Sequence, residues 1–230
     1  MVTVFLMLNA VPGIWSEEST DQFGRLGKIA LYQPSAHPAR GVLFVSGDGG
    51  WAELDREVSA GLARRGIPVV GVNSLKYFWT GRTPEQTARD LGRIIRHYCA
   101  LWEKEKAALI GYSLGADILP FAVNRLDDAV KSRVELIVLL GPGLQADFEF
   151  HLSDWLGSGS KSARPLMPEG LKLKDTRLLC CYGEHESGSL CPKLQGDNIK
   201  DVALSGAHHF GGNYAQIADT ILNEIKKSGP

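Results

Sequence analysis

Short continuous apolar runs alternate along this chain with segments whose apolar residues recur at helical spacing. Runs at 29–32, 41–45 (GVLFV), 68–72, 107–110, 134–140 (VELIVLL), 177–182 and 197–204 read as strands. Runs of this length, bounded by turn residues, fit strands buried on both faces. A helix is predicted over 55–65, where Val58, Leu62 and Arg65 lie a turn apart and Gly66 follows as a stop. A longer one is predicted over 84–102. There Thr83 is a candidate N-cap, Pro84 occupies the first turn, and Leu91, Ile94, Ile95 and Tyr98 line one face. Two more are predicted over 114–125 and 214–226, the last with Ile217, Ile221, Leu222 and Ile225 pointing inward.

Strands alternating with helices imply βαβ units and a mostly parallel sheet covered on both faces. In such α/β sheets, ligands sit beyond the C-terminal ends of the strands. Glycine clusters at 47–50, 111–115 and 206–212 all follow predicted strands. The alternation breaks at residues 145–174, which are irregular, aromatic and rich in Gly, Ser and Pro. That stretch reads as a lid-like insertion over the strand ends. The expected organisation is one α/β domain over 24–230, preceded by a tail or remnant signal segment over 1–23.

Composition narrows the partners. With 44% hydrophobic residues in 230, the chain can bury a sizeable core. Lys+Arg is 25 and Asp+Glu is 26, a formal net charge of -1. That balance argues against a global nucleic-acid footprint and against strong charge attraction to an anionic membrane. Residues 1–15 carry no charge and 2–8 are strongly apolar. The run is shorter than the roughly 20 residues that span a bilayer. It is similar to the apolar region of a secretory signal, but lacks a basic start and an A-x-A cleavage site. A docked tail and a shortened signal both fit it.

There are four cysteines, at 99, 180, 181 and 191. Neighbours in a strand point to opposite faces, so only one of Cys180 and Cys181 can reach a given partner. Cys191 lies a short loop away, which suits a local disulfide in an oxidising compartment. There is no C-x-x-C pair to point to zinc.

The chemistry centres on Gly111-Tyr112-Ser113-Leu114-Gly115, a G-x-S-x-G between a strand and a helix. In that context it is a nucleophile elbow: the sharp turn exposes the serine Oγ, and only small residues fit at its flanks. The amide of Leu114, at the helix N-terminus, would face a developing oxyanion. A serine needs a base, expected late in the chain, with an acid between. Residues 205–210 read SGAHHF, and the G-x-x-H-F spacing selects His209 as base, leaving His208 as a substrate or supporting contact. The acid should follow the penultimate strand, at Gly183-Glu184-His185-Glu186. The spacing there selects Glu186, with Glu184 next and Asp147, after an earlier strand, third. The second oxyanion donor is expected from residues 45–51 (VSGDGGW), through the amide of Asp48 or Gly49. Phosphate-binding and dinucleotide-binding glycine motifs are absent there. No metal or organic cofactor is implied.

Together, LFVSGDGGW, GYSLGAD with the following ILPFAVNRL, ADFEFHLSDWLG, CYGEHE with a following Cys, and GAHHF resemble the VirJ/AcvB-type bacterial virulence proteins. The resemblance runs from about Gly24 to the end and implies an α/β-hydrolase fold. It implies a periplasmic location and, for some members, hydrolysis of aminoacyl-phosphatidylglycerol. For others it implies a link to type IV secretion components. Carried over by position, it supports Ser113 as nucleophile, His209 as base and an acid at 184–186. It also implies that Cys180 or Cys181 pairs with Cys191.

The expected substrate is therefore an aminoacylated phospholipid or a small ester, with peripheral membrane contact. A lysyl ester would need a carboxylate for its ammonium, for which Asp117, Asp147, Glu149 and Asp154 are candidates. Phe148, Phe150 and Trp155 would give the insertion an apolar side, and Tyr77, Phe78 and Trp79 a second wall. The competing expectations are an exported adaptor without activity and a soluble carboxylesterase or thioesterase.

Overall fold

The computed structural model describes residues 18–33, 40–149 and 163–227. The N-terminal segment and part of the insertion, including Phe150, Asp154 and Trp155, lie outside them. An eight-stranded sheet forms the centre. Its strands are β1 (Ser19–Gln22), β2 (Lys28–Tyr32), β3 (Gly41–Val45), β4 (Val69–Val72), β5 (Ala107–Tyr112), β6 (Val134–Leu140), β9 (Arg177–Gly183) and β10 (Ile199–Leu204). They lie in the order β1-β2-β4-β3-β5-β6-β9-β10. The pairs β1/β2 and β2/β4 are antiparallel and all others are parallel. This is the mostly parallel sheet expected from the alternation. The edge strand β1 was not legible, because its residues STDQ are polar and exposed. A small hairpin of β7 (Gln145–Ala146) and β8 (Arg164–Pro165) frames the insertion.

Side-chain alternation splits the core into two layers. On one face α1 (Glu53–Arg64) and α7 (Tyr214–Lys226) cover Val42, Phe44, Ile110, Val138 and Cys181. On the other, α3 (Pro84–Leu101) and α4 (Leu114–Val123) cover Leu43, Val45, Leu109, Ile137 and Cys180. Helix α3 starts where expected: the Thr83 hydroxyl accepts from the Gln86 amide (3.2 Å), and the Gln86 side chain accepts from the Thr83 amide (3.0 Å). The short helices α2 (Ser74–Phe78), α5 (Asp128–Lys131) and α6 (Met167–Leu171) complete the chain. Among the described residues no helix is long and apolar enough to cross a membrane.

Tyr77 and Phe78 do not form an outer wall. Both are buried, and the Tyr77 hydroxyl donates to Asp90 (2.9 Å). Phe148 is buried too, edge-on to Phe78 and Phe121, so its ring packs the insertion onto the core. Trp79 alone of that group is exposed.

The strand register decides where the site forms. Val45 pairs with Gly111, Tyr112 with Leu140, Leu140 with Cys181, and Gly183 with Leu204. Five parallel strands therefore end within about three residues of one another, and their following loops emerge on one edge. One of these loops is closed covalently. Cys180 pairs with Cys191, while Cys181 and Cys99 remain free and buried. The choice follows from strand parity: Cys180 faces the α3/α4 layer, where Cys191 is also buried.

The bond closes a loop with a sequence separation of 11 that contains Glu186. Closing a loop of that size is worth about 3 kcal/mol. The Cys191→Ala variant is expected to unfold at lower urea than the wild type, with an unfolding free energy smaller by about 3 kcal/mol. An unchanged midpoint under oxidising conditions would show that the bond contributes nothing.

Candidate active site

Ser113 sits at the end of β5 with φ 50° and ψ -116°, a left-handed backbone that residues with a side chain rarely adopt. The sequence around it permits this turn. A Cβ on Gly111 would lie 2.4 Å from the Gly115 carbonyl oxygen, and one on Gly115 would lie 2.1 Å from the Val45 carbonyl oxygen. Both flanks must be glycine for α4 to start this close to β5 and β3. The turn is held by the Ser113 amide donating to Leu140 (2.9 Å) and the Asp117 amide donating to Ser113 (3.0 Å).

His208 bridges the serine and the acid. Its Nε2 lies 2.9 Å from Ser113 Oγ, and its Nδ1 lies 2.5 Å from Glu186 Oε1. The other Glu186 oxygen accepts from the Gly183 amide (3.1 Å). The spacing rule selected His209, and the structure corrects it. After β10 the chain turns at Gly206, with the Phe210 amide donating to Ala207 (2.8 Å). The Phe210 ring is buried in the core and anchors this turn. That leaves the two preceding side chains pointing in different directions. His208 is directed at Ser113. His209 is exposed, and its Nδ1 meets the Tyr112 hydroxyl at 2.7 Å.

The remaining candidates separate clearly. Glu184 is exposed and its carboxylate lies 3.7 Å from His185, so it is not the histidine's partner. Asp147 accepts from the Glu149 amide (3.2 Å) in a local turn, while Glu186 occupies the position against His208. Glu149 lies against Gly81, where a Cβ would stand 3.1 Å from its carboxyl carbon. Asp117, one turn past the serine, accepts from the Gly143 amide (2.8 Å). Gly47 packs directly on the serine, since a Cβ there would lie 3.3 Å from Ser113 Cβ. The loop is pinned from below by Ser74, whose hydroxyl donates to the Gly47 carbonyl and whose amide donates to Ser46 Oγ (3.0 Å). The Gly49 amide donates to Asp48 Oδ1 (3.1 Å). Of the two expected loop donors, this one is satisfied inside its own turn.

Two contacts were missed from sequence. Tyr112, the variable position of the motif, stacks on His208 with ring centroids 5.5 Å apart and 29° between planes. Gly141, at φ 58°, lets the end of β6 pass under the pair: a Cβ there would lie 3.0 Å from the His208 ring. The only trace of either was its place next to the serine or at a strand end.

The electrostatics fit a charge pair. The hydrogen bond to Glu186 raises the His208 pKa above its ordinary value, against burial, which lowers it; the charges of Glu186 and Asp48 add to the rise. Burial pushes Glu186 up, but the bonds from His208 and the Gly183 amide outweigh it and hold the carboxyl below its ordinary value. Burial drives Asp117 well above the usual carboxylate range, aided by the charges of Asp48 and Glu186, although part of Asp117 still reaches solvent.

The family described as bacterial virulence protein (VirJ) matches residues 40–228. The chain belongs to the VirJ family. No curated protein sequence matches it. Its backbone is that of an α/β-hydrolase. The structure of Est1E from Butyrivibrio proteoclasticus is similar with a TM-score of 0.62 and 13% identity, covering 86% of this chain and 94% of that one. Esterase Pf2001 from Pyrococcus furiosus is similar with a TM-score of 0.64 and 13% identity, covering 92% and 89%. The thioesterase domain from the curacin biosynthetic pathway is similar with a TM-score of 0.58 and 17% identity, covering 90% and 98%. At these identities the VirJ chain shares the fold with the three enzymes, and their substrates do not transfer with it.

If His208 serves as a base it must be neutral, so activity falls as pH drops through its raised pKa. We expect kcat/KM for a p-nitrophenyl ester to rise through a midpoint above the ordinary histidine value of about 6.5. In Glu186→Gln the midpoint should move down and kcat should fall by about 10⁴-fold. A profile that is the same in both proteins would remove Glu186 from the site.

Proposed function

We propose that this VirJ-family protein is a serine ester hydrolase working through an acyl-enzyme. The observation that carries the reading is His208, held between Ser113 Oγ at 2.9 Å and Glu186 at 2.5 Å. In the first half-reaction Ser113 Oγ bonds to the ester carbonyl carbon and its proton passes to His208 Nε2. The carbonyl oxygen becomes an oxyanion, facing the amides of Leu114 and Asp48 at the start of α4 and in the pinned glycine loop. Collapse breaks the bond to the leaving oxygen, which takes the proton from His208 and departs as an alcohol. Water then adds to the acyl-Ser113 carbonyl, giving its proton to His208. The acid is released and the proton returns to Ser113 Oγ. Glu186 keeps His208 in the correct tautomer and stabilises its charged form throughout.

The substrate favoured here is an aminoacyl ester of phosphatidylglycerol, lysyl or alanyl. Family membership supports it, as does the carboxylate-rich surround of the nucleophile, with Asp48, Asp117 and Glu186 near His208 or one another. A periplasmic setting fits the Cys180–Cys191 disulfide, since such bonds persist in oxidising compartments.

The test uses vesicles of lysyl- and alanyl-phosphatidylglycerol with wild type and Ser113→Ala, reading free amino acid. Release by the wild type that drops to background in the variant is the expected result. Fluorophosphonate labelling of Ser113 without release would retain the hydrolase and reject this lipid. Neither labelling nor release would reject the hydrolase in favour of a non-catalytic adaptor.

A further inference from the structure

Of the two adjacent histidines, one bridges the serine and the acid and the other has no part in that bridge. His209 is exposed, yet its Nδ1 lies 2.7 Å from the hydroxyl of Tyr112, a residue only 6% exposed. Among the described residues His209 is the hydrogen-bond partner of that hydroxyl. Burial raises the phenol pKa, and the charges of Asp55, Asp48 and Glu186 and the neighbouring Tyr214 add to the rise, so the oxygen keeps its proton. The neutral imidazole accepts that proton at Nδ1 and carries its own on Nε2.

The turn that bears both histidines starts far from the serine. β10 lies three strands from β5, about 14 Å at ordinary strand spacing. The turn is carried back over the intervening strand ends. Above β9, the His185 amide donates to the Gly206 carbonyl (2.9 Å), and a Cβ on Gly183 would lie 2.2 Å from the Ala207 carbonyl oxygen. Above β6, Gly141 leaves room for the His208 ring. The tip of the turn then meets the end of β5 through two side-chain hydrogen bonds, His208 to Ser113 and His209 to Tyr112.

These two bonds fare differently during ester hydrolysis. Once Ser113 Oγ is bonded to the acyl carbon it has no proton to give His208 Nε2, so the first bond is lost. The second involves no reacting atom and persists. The plane of the His208 ring also needs fixing. Its hydrogen bonds to Ser113 and Glu186 sit on its two nitrogens, and turning the ring about the line between them changes neither length much. The torsion of an imidazole about its outer bond is soft. The stacked ring of Tyr112 removes that freedom, at 5.5 Å and 29°. Tyr112 is itself pressed by the glycine loop, since a Cβ on Gly47 would lie 3.2 Å from its ring.

We propose that His209 is a positioning residue that acts through Tyr112. Its bond holds the tip of the turn on β5, and the Tyr112 ring on His208, while Ser113 is acylated. His208 is then in place to take a proton from water as the water oxygen bonds to the acyl carbon. That proton passes to Ser113 Oγ as the bond from this oxygen to the acyl carbon breaks. The proposal rests on the hydrolase reading and assigns the pair to one step of it, deacylation. Acylation depends on the pair less, because Ser113 Oγ–H then anchors His208 directly.

The experiment uses the full chain and p-nitrophenyl acetate. The burst of p-nitrophenol reads acylation, and the decay of acetyl-Ser113 in quenched samples, followed by mass spectrometry, reads deacylation. The proteins are wild type, Tyr112→Phe, His209→Ala, His209→Asn and the double variant Tyr112→Phe/His209→Ala. Deacylation is expected to slow about tenfold in Tyr112→Phe and in His209→Ala, the effect of one lost hydrogen bond, with acylation within about threefold of wild type. In the steady state kcat and KM should fall together and kcat/KM should hold. His209→Asn should regain most of the rate, because its Oδ1 can accept from the phenol. The double variant should be no slower than the slower single one, since both changes remove the same bond.

Acylation and deacylation slowed alike would make the pair a support of the turn only and overturn the proposal. So would unchanged deacylation in His209→Ala, an His209→Asn variant as slow as His209→Ala, or losses that multiply in the double variant. His209 is exposed, so His209→Ala decides alone if Tyr112→Phe does not fold. If the wild type forms no acetyl-Ser113, the hydrolase reading falls and takes the proposal with it. Acetyl-Ser113 that forms and turns over normally in every variant removes the brace and leaves the hydrolase.

Discussion

Ser113 is held at φ 50° by packing that leaves the chain no alternative. A non-glycine residue in such a conformation costs about 1–3 kcal/mol and persists only where its surroundings over-determine it. Here they do. The start of α4 presses on Gly111 at the end of β5 and, through Gly115, on the end of β3 so closely that neither glycine has room for a Cβ, and the serine amide is tied to Leu140 of the next strand. Any relaxation of the turn would break that bond and pull α4 off the sheet. The rest of the site is arranged around this fixed point. Because the parallel strands end in near register, the loops after β3, β5, β6, β9 and β10 deliver Gly47, Ser113, Gly141, Glu186 and His208 to one edge.

The strands fix where these loops begin, and local bonds fix how they are shaped. The glycine loop after β3 is pinned by two buried serines, Ser46 and Ser74. The loop after β9 carries Glu186 within three residues of Gly183, whose amide holds it, and the Cys180–Cys191 bond closes that loop on the far side. The loop after β10 is anchored by the buried Phe210 ring. Three unlike devices (a hydroxyl pair, a covalent bond and an apolar plug) thus fix the loops that pack Gly47 on Ser113 and bring Glu186 to His208.

Much of this was legible in the sequence, because the strands of a doubly covered sheet are written as continuous apolar runs. β3, β6 and the elbow stood out for that reason, as did the capped start of α3. Glu186 was legible because its loop is short and its strand unmistakable. The base was not. Adjacent histidines differ only in which way a turn directs them, and that depends on Gly206 and on the burial of Phe210, which no spacing rule contains. The partner of Cys191 needed the layer to which each cysteine points, a tertiary fact. Polar β1 carried no apolar signal at all. Asp55 reads from sequence as an ordinary first-turn acid of α1, and only its burial separates it from one.

The acids of the site are held in two different states, and this bears on what it accepts. Glu186 is stabilised as an anion by His208 and an amide. Asp117 and Asp55 are pushed toward their neutral forms mainly by burial, with nearby carboxylates adding to the push at Asp117. A group of buried acids that resists ionisation is poorly disposed toward a second anion and well disposed toward a cation, which restores the charge that burial suppresses. A neutral acyl chain would gain nothing from this arrangement. The fold is shared with solved structures at 13% identity, a likeness that carries no substrate with it.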